Sequence, residues 1–313
     1  MSEQFQIWWR LLRGNNLLIV ALTQYLLQYV VLVPVFEEAG LAPALTGVHF
    51  ALFAFTTVLI AAGGYLINDL EDQAIDARNK PDRYIVGRLV PRAQVWVVYI
   101  SLFWLGAILS VYLAFHVHNP PLALIFPAAY GLLYWYSRRL KKLPFWGNFT
   151  VAVYCAVVAG IVLFAERLSF AELQRVAPES ARRVAWLFGG YLSFAFVATF
   201  WREVVKDLED EAGDRLEGCR TLPIVYGAPT ARRIAGTAGI TLIGLLLIAI
   251  VLLQNFLFSQ IILVVLCLLP SGWLWRKTRT ARQPSAYHRV STGLKVLMLV
   301  GLILLFVIRY HVL

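Results

Sequence analysis

Charge is what this sequence has least of. Only 15% of its 313 residues are Asp, Glu, Lys or Arg, while 60% are hydrophobic, and the mean hydropathy is +0.69. Soluble domains carry about 25% charged and roughly 45–50% apolar residues. A soluble globular fold is therefore excluded and an integral membrane protein is indicated. Cysteine is scarce as well: Cys155, Cys219 and Cys267 are scattered without a CxxC pair, which leaves neither a disulfide framework nor a zinc site. The five His are dispersed. A P-loop or Gly-rich nucleotide cradle is missing, which argues against an ATP-driven pump. Residues 1–14 are amphipathic, with Trp8, Trp9, Arg10 and Arg13, and no small-residue cleavage site follows a short apolar core; a cleavable signal peptide is not expected.

What is present is a series of apolar runs. A membrane-spanning helix needs about 20 such residues, and nine segments qualify, near 17–36, 48–68, 93–115, 120–137, 147–165, 184–203, 231–253, 257–275 and 290–310. The expectation is an all-α, polytopic membrane protein of nine helices, forming one domain over 1–313. The net charge of +10 would ordinarily raise nucleic acid as a partner. Here 22 of the 28 basic residues fall in alternate connections between the apolar runs, so they read as topology determinants. The opposite connections 37–47, 116–119 and 254–256 hold no Lys or Arg. The exception, 166–183, mixes Arg with Glu and is expected to form an interfacial helix. The N-terminus is thereby expected on the cytoplasmic side of a bacterial or archaeal cell membrane. Aromatics crowd the same ends (Tyr130, Tyr134, Trp135, Tyr136, Trp201, Trp273 and Trp275), mostly as interfacial anchors. Gly63-Gly64 permits close helix approach, and Pro127 interrupts the fourth segment.

Two of the apolar runs end in the same way. Asn68-Asp69-Leu70-Glu71-Asp72-Gln73-Ala74-Ile75-Asp76 follows 51–67, and Lys206-Asp207-Leu208-Glu209-Asp210-Glu211-Ala212-Gly213-Asp214 follows 185–201. The shared pattern D-L-E-D-x-A-x-x-D recurs at a constant offset of 138, a strong internal repeat. Four segments separate the copies, so the repeat is parallel, with halves near 15–145 and 146–275 and a ninth helix at 290–310. On a continuing helix, Asp69, Asp72 and Asp76 share one face, as do Asp207, Asp210 and Asp214. Acidic helix ends in loops are ordinarily just solvated, but two copies in register at membrane edges point to one site built from two halves. Both lie on the cytoplasmic rim by the charge pattern.

Such carboxylate stripes suit Mg²⁺, which takes one or two carboxylates and completes its shell with water and phosphate oxygens. Arg78, Lys80 and Arg83 follow the first stripe, and Arg202, Lys206, Arg215 and Arg220 surround the second. Carboxylates, metal and flanking cations are what a diphosphate requires. The reaction indicated is departure of diphosphate from an allylic lipid whose tail lies in the bilayer. A membrane transporter is the rival class, since repeats and membrane carboxylates also occur there; against it, the acidic groups gather at one rim instead of the midplane.

These motifs, with Asn79-Lys80-Pro81-Asp82-Arg83 after the first, resemble the UbiA superfamily of intramembrane prenyltransferases over nearly the whole chain. The resemblance implies nine helices around a central cavity with cytoplasmic cap loops, dependence on Mg²⁺, and transfer of a polyprenyl group from its diphosphate to a lipophilic acceptor. It implies that Asp69, Asp72, Asp76, Asp207, Asp210 and Asp214 form the catalytic metal site. Asn68, Lys80, Arg83 and Lys206 join them on the diphosphate, with Arg202 beside the second motif and Arg13, Asn16 and Asn148 near the cavity. The run Arg202–Asp214 leading to Thr221-Leu222-Pro223 is most similar to the geranylgeranylglyceryl phosphate geranylgeranyltransferase branch, although Tyr84 stands where many members have Pro. The acceptor stays open between geranylgeranylglycerol phosphate and an aromatic compound of the 4-hydroxybenzoate, quinone-precursor, chlorophyllide or haem type. Membrane lipid is the surroundings, and no obligate protein partner is evident.

Overall fold

The structure is a computed structural model that describes residues 2–73, 84–216, 218–253 and 256–312. Among them the only β-pairing is an isolated bridge between Val86 and Val90. The helices are α1 (Glu3–Leu11), α2 (Gly14–Glu38, with a π-helical turn Leu27–Leu32), α3 (Gly47–Glu71), α4 (Arg92–His116), α5 (Pro121–Arg138) and α6 (Trp146–Ala165). They continue as α7 (Arg167–Val176), α8 (Pro178–Leu216), α9 (Leu222–Tyr226), α10 (Ala228–Leu252), α11 (Leu257–Thr280, with a π-helical turn Val264–Leu268) and α12 (Pro284–Val312).

Each expected apolar segment is a helix, but eight among the described residues, not nine, are long and apolar enough to cross a membrane. The remaining one, α5, has 18 residues and carries Pro127 and the polar aromatics Tyr130, Tyr134 and Tyr136 in its interior, which lower its apolarity; at about 27 Å it still has the length of a crossing, and it packs along α3 and α4. The expected interfacial segment 166–183 is also divided differently. Residues 167–176 make the separate, amphipathic α7, whereas Pro178 already opens α8. On α7, the Arg175 guanidinium three residues on holds the Glu172 carboxyl below its usual range.

The chain divides into two compact units, residues 1–25 with 43–140, and residues 26–42 with 141–313. In the first, α3 packs on α4 and α5, around Leu66, Ile67, Val95, Tyr99, Phe126 and Tyr130. Gly63 is required here: a Cβ at that position would run into the Tyr130 ring. Tyr130 is buried and donates its hydroxyl to the Tyr99 carbonyl at 2.7 Å, so it is a core residue and not an interfacial anchor.

In the second unit α8 is the axis, packed against α6, α10 and α12. Its 39 residues make a rod of about 58 Å, against a hydrocarbon layer of about 30 Å. A rod of that length must emerge from the membrane, and its charge-rich ends, 179–183 and 202–215, are the parts suited to do so. Trp201, fully buried, anchors the packing: its indole N–H donates to Thr278 Oγ1 at 3.2 Å. At the other end of α6, Gln28 in the π-helical turn of α2 donates to the buried carboxylate of Glu166 at 2.8 Å. Large apolar side chains such as Ile108 and Phe115 in the first unit, and Ile248 and Leu269 in the second, are exposed. A bilayer accounts for that exposure where water would not.

Candidate active site

In the first unit the acidic stripe sits where α3 stops. The helix ends at Glu71, and Asp72 is its C-cap with φ −88° and ψ −2°. α3 itself therefore ends at this cap, and the rest of the expected stripe, residues 74–76, lies outside the described residues. Asp76, Lys80 and Arg83, with Arg78, lie outside the described residues. Asn68, one turn before Asp72, donates Nδ2–H to its Oδ2 at 3.0 Å. Arg13 donates from Nη2 to Asp69 Oδ1 at 3.1 Å. It reaches there from the junction of α1 and α2, where its own backbone is left-handed (φ +53°), a conformation uncommon outside Gly, Asn and Asp. The same guanidinium lies 4.7 Å from the centroid of the Tyr65 ring, one helical turn before Asp69. Asn16 sits in the first turn of α2, half-buried, with its backbone N–H bonded to the Arg13 carbonyl at 2.7 Å. The pair Arg138–Glu71, at 3.0 Å, occupies another side of the α3 terminus.

In the second unit the stripe lies on continuous helix. Asp207, Asp210 and Asp214 all fall within α8, at the i, i+3, i+7 spacing that aligns them on one face. Asn148, buried in the first turn of α6, donates Nδ2–H to Asp207 Oδ2 at 2.9 Å. That bond fixes one carboxylate oxygen and leaves the orientation of the second defined. Glu203 then organises the cations: Arg202 Nη1 meets its Oε1 at 2.8 Å and Lys206 Nζ its Oε2 at 3.4 Å. The buried Nε of Arg202 has no hydrogen-bond partner among the described residues, so this guanidinium keeps a donor to offer. Glu209 points elsewhere, to His288 Nδ1 at 2.7 Å.

The structure thus gathers Arg13, Asn68, Asp69 and Asp72 around one helix end, and Asn148, Arg202, Lys206 and Asp207 around another helix. Sequence reasoning missed Tyr65 and Glu203. Glu203 carried a signal, its i, i+3 spacing to Lys206, but lies outside the nine-residue repeat. The donor set is entirely oxygen, which fits a hard cation. Among the described residues no three His, Cys, Asp or Glu converge into a ready-made cage. Mg²⁺ does not need one, because it retains water and takes its remaining ligands from phosphate. Asp69, Asp72, Asp207, Asp210 and Asp214 therefore suit it as partial ligands.

Residues 29–308 match the UbiA prenyltransferase family. Digeranylgeranylglyceryl phosphate synthase of Methanopyrus kandleri is 37% identical over 206 residues, covering 64% of this chain and 67% of that protein. A solved structure reported for digeranylgeranylglyceryl phosphate synthase in membranes has a TM-score of 0.69 to this chain at 22% identity, covering 98% of each. A UbiA homologue from Archaeoglobus fulgidus, solved with DMAPP and Mg²⁺, has a TM-score of 0.55 at 16% identity and covers 95% of this chain and 98% of its own. At those identities the two structural likenesses concern the fold.

Proposed function

Because this chain belongs to the UbiA prenyltransferase family, we propose that it transfers a geranylgeranyl group from its diphosphate to geranylgeranylglycerol phosphate. The observation that carries this reading is the pair of oxygen-donor sets at membrane-helix ends, each with a positioned carboxylate: Asp69 held by Arg13, Asp72 by Asn68, Asp207 by Asn148. The 37% identity to the Methanopyrus kandleri synthase and the second motif support this choice of acceptor.

In the reaction the bond between C1 of the prenyl chain and the diphosphate oxygen breaks. The acceptor hydroxyl oxygen bonds to C1 and loses its proton, and inorganic diphosphate leaves. Mg²⁺ held by Asp69, Asp72, Asp76, Asp207, Asp210 and Asp214 would neutralise the diphosphate and make it a better leaving group. The chain's own cations do the rest of the headgroup binding. Arg13, Lys80, Arg83, Arg202 and Lys206 donate charge-assisted hydrogen bonds to diphosphate oxygens. Asn68 and Asn148 hold carboxylates in register, so that little reorganisation is needed when charge develops on the leaving group. Asn16 supports the Arg13 turn. The prenyl tail lies among the membrane helices, with the diphosphate at the cytoplasmic rim.

The test is to incubate purified protein with Mg²⁺, geranylgeranyl diphosphate and a mixture of geranylgeranylglycerol phosphate and aromatic acceptors, and to weigh the products. The expected product is the diether phosphate with release of diphosphate. A prenylated aromatic ring would reassign the acceptor. Flux of substrate across sealed vesicles without diphosphate cleavage would favour a transporter.

A further inference from the structure

At the end of the second unit that carries the acidic turns of α8, the first turns of α10 and the last turns of α11 enclose a groove of about 510 Å³. Its walls hold four arginines, Arg232, Arg233, Arg279 and Arg282, and its floor is Trp275. Among the described residues no carboxylate lines it. None of the four forms an ion pair among the described residues. Three of them meet neutral groups: Arg232 donates to Tyr287 Oη at 3.0 Å, Arg282 to the carbonyls of Arg279 and Ala281 at 2.8 Å, and Arg279 lies 5.2 Å from the Trp275 ring centroid. The floor is fixed, because Trp275 donates its indole N–H to the Gly236 carbonyl at 3.1 Å.

Positive charge at cytoplasmic helix ends is the ordinary topology signal. That signal needs no convergence, and scattered arginines would minimise mutual repulsion. Here four guanidinium groups share one concavity with no carboxylate among its described lining residues. Guanidinium is the group best matched to phosphate oxygens, through bidentate hydrogen bonds. The depth is also informative. Trp273, more than half exposed, lies two residues before Trp275 on α11 and so faces away from the groove at nearly the same depth, with Lys277 5.6 Å over its ring, and exposed Trp marks the headgroup level of a bilayer. Below the arginines Ile240 lines the groove, and Leu247 and Ile248 continue the same stripe of α10, exposed to the hydrocarbon.

We propose that this groove binds the phosphate of an anionic membrane phospholipid, with the acyl chains lying along the Ile240–Ile248 face of α10. Basic pockets between membrane helices hold anionic headgroups for this reason. The site is separate from the transfer reaction and does not depend on that reading.

The full-length protein in neutral detergent would be titrated with short-chain phosphatidylglycerol and phosphatidylcholine, with glycerol 3-phosphate and inorganic phosphate as soluble arms. Phosphatidylglycerol should bind well above phosphatidylcholine, and neither soluble phosphate should displace it at equal concentration. Arg233→Gln with Arg279→Gln should weaken phosphatidylglycerol binding about 10- to 30-fold. Arg10→Gln with Arg92→Gln, the same charge removed elsewhere, should leave it nearly unchanged. Equal binding of the two lipids, full displacement by soluble phosphate, or an equal loss in the control pair would overturn the proposal. Should the Gln pair fail to fold, a photoactivatable phosphatidylglycerol on the wild-type protein decides the matter. Crosslinks should map to 229–240 and 275–282, and crosslinks spread over all lipid-facing helices would refute the site.

Discussion

The side chain of Asn148 is bonded to an acid of the second motif. Its Nδ2–H points at Asp207 Oδ2 from 2.9 Å, so Asn148→Leu would leave that carboxylate undirected without touching the acid itself. Groups that orient a metal-holding carboxylate are typically worth about 10- to 100-fold in metal affinity or activity. The expected result is a loss of that size with a raised Mg²⁺ requirement, read from initial rates across a Mg²⁺ titration; an unchanged requirement would make Asn148 merely structural. The six Asp could be proposed from the sequence because the nine-residue pattern repeats; five of them lie among the described residues and Asp76 lies outside them. Tyr65 and Glu203 were not legible in this way. An aromatic one turn before an acid looks like any interfacial aromatic, and only the fold shows Arg13 lying on Tyr65. Trp201 and Tyr130 were misread for a related reason. Composition places an aromatic near a membrane edge, but its partner, Thr278 or the Tyr99 carbonyl, decides whether it faces lipid or core.

Helices were the most legible elements, since apolar runs of that length have no other stable form in lipid. Their ends were less so. The two copies of D-L-E-D share sequence, yet Asp72 caps α3 whereas its counterpart Asp210 lies inside α8. The Gly63-Gly64 approach was read correctly from its small residues. Gly63→Ala would drive a methyl into the Tyr130 ring, and overpacking of this kind costs about 1–3 kcal/mol. A lower midpoint of thermal unfolding in detergent is expected, with transfer activity retained below it. The π-helical turn of α2 had no sequence signal beyond Gln28, which gives its amide to Glu166. Gln28→Leu removes a donor from a buried carboxylate and should cost about 1–3 kcal/mol. Adding Glu166→Leu should restore part of that loss, because replacing both polar partners by apolar groups is far less costly than orphaning one. Additive destabilisation in the double variant would show that the pair does not act as a unit.

Over the whole molecule, the charge pattern makes a topological prediction. Cys219 lies between α8 and α9, while Cys155 and Cys267 lie within α6 and α11. With the basic connections inside, a membrane-impermeant maleimide should label Cys219 in inverted vesicles and not in right-side-out cells. Ala42→Cys, in the connection between α2 and α3, should behave oppositely. The reverse pattern would invert the protein and place both acidic motifs outside. The function proposed here rests on those motifs acting together upon one diphosphate. The most direct measurement is the rate of geranylgeranyl transfer by the purified protein, with and without chelator, for wild type, Asp72→Asn and Asp210→Asn. Chelation should abolish transfer and Mg²⁺ should restore it. Each variant, folded and membrane-inserted, should fall by at least about 100- to 1,000-fold; wild-type turnover in either one at saturating Mg²⁺ would contradict the shared site.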